Sequence, residues 1–131
     1  MDMDHVGVAV EDWQKSLHDF AILLGTEASD EELLDKEGVR TAFFQTGNTR
    51  VELLGATRAE SPVGKFLSRR GEGLHHIAFA VKNLDQTLIR LQEKGFSLTS
   101  GGIRKGSGGK RICFLQPKQT HGILIELCEK K

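Results

Sequence analysis

The chain has 131 residues, a length that suits one ordinary domain with a buried core. Its 18 basic and 18 acidic residues cancel, so no net field recruits nucleic acid or an anionic membrane, and small molecules or protein surfaces are the expected partners. No apolar run approaches the ~20 residues that span a bilayer. The N-terminus lacks the layout of a signal peptide, and two cysteines, Cys113 and Cys128, fit a reduced, cytoplasmic protein.

The first predicted element is a strand in "DHVGVAV", from residue 4. A helix follows, with Asp12 as its N-cap, Trp13, Leu17, Phe20 and Leu24 on one side, and Gly25 as its stop. A weakly written strand is expected around residues 27–35. The stretch "VRTAFFQTGNTRVELL" (39–54) reads as two strands turning at Gly47-Asn48. In "SPVGKFLSRRGEG", Ser61 before Pro62 starts a short helix whose apolar side is Val63, Phe66 and Leu67.

From residue 75 the pattern begins again with "HHIAFAVKNLDQTL", which matches "DHVGVAVEDWQKSL" at a constant offset. Asn83 is the second N-cap, Leu84, Leu88 and Leu91 the apolar stripe, and Gly95 the stop. Another weak strand is expected around 96–100. The stretch "KRICFLQPKQTHGILIELC" (110–128) reads as two strands separated by a turn near Pro117. The expected fold is α+β, with two βαβββ modules (about 1–58 and about 73–131) and a linker helix (about 61–70) in a single domain covering 1–131. Its sheet is expected to curve around a metal cleft.

Strand side chains alternate faces, so His5 lies with Gly7 and Ala9, while Val6, Val8 and Val10 point the other way. His76 lies with Ala78 and Ala80, opposite Ile77, Phe79 and Val81. Each module's last strand carries a carboxylate between large apolar residues: Glu52 between Val51 and Leu53, and Glu126 between Ile125 and Leu127. A lone carboxylate buried there would cost several kcal/mol, so a partner is expected. Two imidazoles and two carboxylates suit a divalent ion with mixed nitrogen and oxygen ligands, such as Co, Ni, Mn, Zn or Fe. His75 falls on the opposite face from His76 and is expected to be structural, while His18 and His121 break the repeat and are expected at the surface.

Other motifs fail on their spacing. The glycine-rich "SGGIRKGSGGKR" (100–111) has Arg104 and Arg111 where a phosphate loop needs Gly and Ser or Thr. It reads as a flexible connection, or as a flap that brings Lys105, Lys110 and Arg111 to an anionic substrate. The chain has no His-Glu-x-x-His helix, no zinc-spaced Cys pair and no serine elbow.

With "DHVGVAV", "GNTRVELL", "SPVGKFLSRRGEGLHHIAFAV", "GGKRICFLQPK" and "GILIELCEK" in place, the chain resembles the methylmalonyl-CoA epimerases over essentially its whole length. That family belongs to the vicinal oxygen chelate superfamily, alongside glyoxalase I. The resemblance implies paired βαβββ modules around a metal cleft, a homodimer, and an acyl-CoA substrate. It also implies metal ligation by His5, Glu52, His76 and Glu126, with cobalt preferred.

The implied reaction interconverts (R)- and (S)-methylmalonyl-CoA by moving the C2 proton, with the metal stabilising an enediolate. Inversion requires one proton-transfer group on each side of C2. One is implied to be Glu126, and the other a glutamate in the strand after the first helix. Counting from Gly25, that place holds Lys36, so a one-residue shift makes Glu37 the second catalytic candidate, with Asp35 or Lys36 itself as alternatives. Gln116 stands where relatives have His. Two further readings are a glyoxalase I-type lyase acting on a thiol hemithioacetal, and a ligand-binding member without chemistry.

Overall fold

The computed structural model describes residues 1–130, and the chain divides into two compact units. One is His5–His75; the other is Met1–Asp4 together with the residues from His76 onward. Among the described residues no helix is long and apolar enough to cross a membrane.

The first unit is built from β1 (Asp2–Val10), α1 (Trp13–Leu24), β2 (Ser29–Leu34), β3 (Val39–Thr46), β4 (Thr49–Ala56) and α2 (Pro62–Arg70). Its strands lie in the order β2-β3-β4-β1, with β3 antiparallel to both neighbours and β1 parallel to β4. Parallel pairing requires a long crossover, and α1 lies within it. Asp12 caps α1 by accepting the Lys15 N–H at 3.1 Å. Trp13, Leu17, Phe20 and Leu24 then pack on Val8, Val10, Ala42, Phe44 and Leu53, which fill one face of the sheet.

Residues at the alternate positions are thereby turned to the other face. There α2 covers one end only, with Val63, Phe66 and Leu67 against Ala9, Leu34, Val39 and Leu54. Ser61 starts this helix as expected, accepting the Gly64 N–H at 3.1 Å.

The second unit contains β5 (Gly73–Val81), α3 (Leu84–Glu93), β6 (Arg104–Lys105), β7 (Arg111–Phe114) and β8 (Ile125–Glu129), with strand order β5-β8-β7-β6. Asn83 caps α3 through the Gln86 N–H at 3.0 Å. Leu84, Leu88 and Leu91 pack on Val81, Cys113, Leu115 and Leu127. The strand expected around 96–100 shrinks to one bridge, Leu98 to Leu115, and β6 pairs with β7 in its place. The physical reason is local: Gly101 and Gly102 both have positive φ (94° and 54°), which turns the chain out of the ladder before Arg104 re-enters it. The Gln116 amide donates to the Leu98 carbonyl at 3.0 Å and holds this segment in place.

Candidate metal centre

Each unit buries one histidine against one glutamate. In the first, β1 runs parallel to β4 with Gly7 level with Glu52, so His5 lies on the same face two residues before. His5 Nε2 stands 3.2 Å from Glu52 Oε1, and both side chains are 5% exposed. In the second, β5 runs parallel to β8 with Ala78 level with Glu126, and His76 again lies two residues before. His76 Nε2 stands 3.4 Å from Glu126 Oε1, with side chains 3% and 8% exposed.

A ring closes each pair. Phe43 is the direct partner of Glu52 across the β3–β4 ladder and meets His5 edge-on, with centroids 5.3 Å apart at 83°. Phe114 is the direct partner of Glu126 across the β7–β8 ladder and meets His76 at 5.8 Å and 84°. A guanidinium lies over each ring, that of Arg50 3.9 Å from the Phe43 centroid and that of Arg104 5.3 Å from Phe114. The sequence reading missed these phenylalanines, although the constant offset that aligns His5 with His76 also aligns Phe43 with Phe114.

The donor spacing fits metal ligation. A charge-assisted hydrogen bond would draw N and O to about 2.7–2.9 Å. Two ligands about 2.1 Å from one ion stand about 3.0 Å apart at a right angle and about 3.4 Å apart at the tetrahedral angle. The observed 3.2 and 3.4 Å fall in that second range. On the other face of β7, beneath α3, charge is costly. Burial pushes the Cys113 thiol up to about 11, with the negative charge of Glu126 adding to the rise and Arg104 opposing it.

Other expected residues find varied places. His75 packs edge-on against Phe66 at 4.9 Å, a structural role, and His18 and His121 are exposed. Arg111 is held by Asp85 at 2.9 Å and Glu129 at 3.2 Å, so it braces α3 and β8 rather than reaching for an anion. Asp35, Lys36 and Glu37 form the turn after β2. The carbonyls of Asp35 and Lys36 accept from Arg58, and the Glu37 N–H donates to Leu34. This turn lies beyond the Leu34–Val39 pair, roughly 17 Å along β3 from Phe43 at a strand's rise per residue. The structure therefore separates Glu37 from the His5–Glu52 row.

Comparison with known proteins gives a consistent result. Residues 4–114 match the Glyoxalase/Bleomycin resistance protein/Dioxygenase superfamily. The chain is 38% identical to the uncharacterized protein YqjC of Bacillus subtilis over 98% of this chain and 92% of that one. It is 34% identical to human mitochondrial methylmalonyl-CoA epimerase, over 95% of this chain and 72% of the human protein. A Streptomyces coelicolor methylmalonyl-CoA epimerase variant, solved with 2-nitronate-propionyl-CoA, superposes with a TM-score of 0.93 at 34% identity, covering 99% of this chain and 94% of that one. The chain belongs to the glyoxalase-type superfamily, with the fold of the methylmalonyl-CoA epimerases.

Proposed function

We propose that this protein is a divalent-metal-dependent epimerase that interconverts (R)- and (S)-methylmalonyl-CoA, the reaction named for its relatives. The observation that carries the reading is the duplicated, buried His–Glu pair with the spacing of two ligands on one ion. By the family resemblance His5, Glu52, His76 and Glu126 would hold that ion. Once bound, it supplies a Lewis acid that draws electron density from the substrate's carboxylate and thioester oxygens.

The remaining work belongs to the chain. Phe43 and Phe114 keep water from one side of each pair, which strengthens the electrostatics there. Arg50 and Arg104 place positive charge beside the rings, suited to a substrate with a free carboxylate. Glu126 would take or return the C2 proton on one side, while Glu37, the sequence's candidate for the other side, lies in the turn after β2, away from the His5–Glu52 row. Cobalt as the ion, a homodimer and a cytoplasmic location complete the proposal on the basis of the family resemblance.

The test is incubation of either enantiomer with metal-loaded protein in deuterated water. Interconversion with deuterium at C2 is expected, and removal of the metal by a chelator should stop both. Unchanged substrate in the presence of cobalt, nickel, manganese, zinc or iron would defeat the reading.

A further inference from the structure

Arg50 stands level with His5 where β1 runs parallel to β4, and it lies on the face that carries His5 and Glu52. Its guanidinium lies 3.9 Å from the centroid of Phe43, the ring that also meets His5 edge-on. A guanidinium laid over a ring keeps its fork of N–H donors at its edge, where a carboxylate can accept two of them at once. Gln45, the direct partner of Arg50 on β3, spends its amide on the hairpin turn, donating to the carbonyls of Gly47 at 2.7 Å and Thr49 at 3.3 Å. The half-buried Arg50 is therefore set by a strand and a ring rather than by a loop.

Next to a pair suited to a divalent ion, a fixed cation is an electrostatic cost unless an anion joins it. The guanidinium keeps its charge throughout the working range, so it repels such an ion at every relevant pH. In this unit's pair Glu52 supplies one negative charge. A carboxylate brought in by the substrate would add the second and lie against both positive groups.

The duplicated unit shows that the fold itself requires no charge there. The equivalent place, two residues before Glu126, holds the half-buried Leu124. That unit's ring-bound cation, Arg104, comes from a different strand and reaches back to its own turn, with Nη2 donating to the Ser100 carbonyl at 3.4 Å. Arg40 also lies over a ring, 5.0 Å from Trp13, but on the α1 side of the sheet, away from His5 and Glu52. Arg50 is thus the guanidinium in step with a buried pair.

We propose that Arg50 selects the acyl group by its free carboxylate, holding it in a forked pair of charge-assisted hydrogen bonds beside His5 and Glu52. The assignment rests on the function proposed above and names the residue that reads the acyl group. Because the carboxylate keeps its charge while the C2 proton moves, the contact favours the bound substrate and the state that follows alike. Arg50 is a specificity residue and moves no proton. Thioesters that lack the carboxylate are the ones it disfavours.

The experiment compares wild type with Arg50→Gln, Arg50→Lys and Arg40→Gln, each loaded with cobalt, with bound cobalt and thermal melting measured in parallel. Calorimetry reads the binding of malonyl-CoA, which carries the carboxylate, against butyryl-CoA, which does not. Wild type should prefer malonyl-CoA, and Arg50→Gln should bind it about 10- to 100-fold more weakly while its affinity for butyryl-CoA stays within about twofold. With methylmalonyl-CoA as substrate, Arg50→Gln should raise KM by a similar factor and leave kcat within about threefold. Arg50→Lys should recover part of the loss, because an ammonium keeps the charge without the fork. Arg40→Gln should match wild type. Equal weakening of both thioesters in Arg50→Gln, unchanged malonyl-CoA binding, or a fall in kcat at constant KM would overturn the assignment. A wild type that binds malonyl-CoA through Arg50 yet leaves methylmalonyl-CoA unconverted would defeat the epimerase reading and uphold the carboxylate site. A wild type that binds neither thioester would overturn both.

Discussion

Phe43 and Glu52 are direct partners across the β3–β4 ladder, and the same ring that covers the carboxylate meets the edge of His5. Phe43 is 3% exposed, so Phe43→Ala removes a packed ring and admits water to the pair. The expected cost is about 3–5 kcal/mol of folding stability, measured by urea unfolding. A loss below about 1 kcal/mol would show that the ring neither packs nor seals the site.

Metal binding should couple to stability, because the donors are preformed and buried only in the folded state. With free cobalt at 100 times its dissociation constant, the folded state should gain about 2.7 kcal/mol. In calorimetry that gain should vanish in Glu52→Ala and His76→Ala, and elemental analysis should show lost metal. A melting temperature indifferent to every divalent ion would refute the assignment of these ligands.

Alkaline pH should destabilise the fold through Cys113. Its folded-state value is raised to about 11 from the usual thiol range, so the folded state holds the proton more tightly than the unfolded one. Stability from this source is complete below about pH 8.5 and is lost as pH rises toward 11. Urea midpoints across that interval should fall in wild type and fall less in Cys113→Ala. Equal slopes would assign the effect to other groups.

The start of α2 offers a packing test. Ser61 is 2% exposed, and its hydroxyl accepts from Gly64 and donates to the Arg58 carbonyl at 2.8 Å. Ser61→Ala should cost about 1–2 kcal/mol. A Cβ on Gly64 would stand 2.5 Å from the carbonyl oxygens of Arg58 and Ala59, so Gly64→Ala should cost about 1–3 kcal/mol. Both are read from unfolding midpoints, and a neutral Gly64→Ala would mean that the 58–59 turn yields freely.

Much of this organisation was legible from residue types alone. Asp12, Asn83 and Ser61 announce helix starts because a short polar side chain satisfies the first free N–H groups. The alternation around His5, Glu52, His76 and Glu126 announces which side chains share a face, because strand geometry has period two. Repetition of the strand–helix pattern at a constant offset marks His5 and His76 as related before any coordinate is known, and Glu52 and Glu126 recur in the last strand of each module. The strand expected near 96–100 failed for a local reason, since Gly101 and Gly102, both at positive φ, turn the chain out of the ladder just after it and leave only the Leu98–Leu115 bridge.

Face assignment on β2 was different in kind. Counting from Gly25 directs attention to residues 35–37, because a count assumes an unbroken ladder, whereas a bulge at Asp30 shifts the register and puts Glu32 level with Thr41. Bulges and cross-strand partners are properties of two strands together, so no single strand's sequence encodes them. The amino-acid sequence by itself determined the two modules, their helix caps and the four candidate ligands, all of which follow from local periodicity. Only the tertiary structure decided which phenylalanine seals each pair, because that depends on the register between segments distant in the chain.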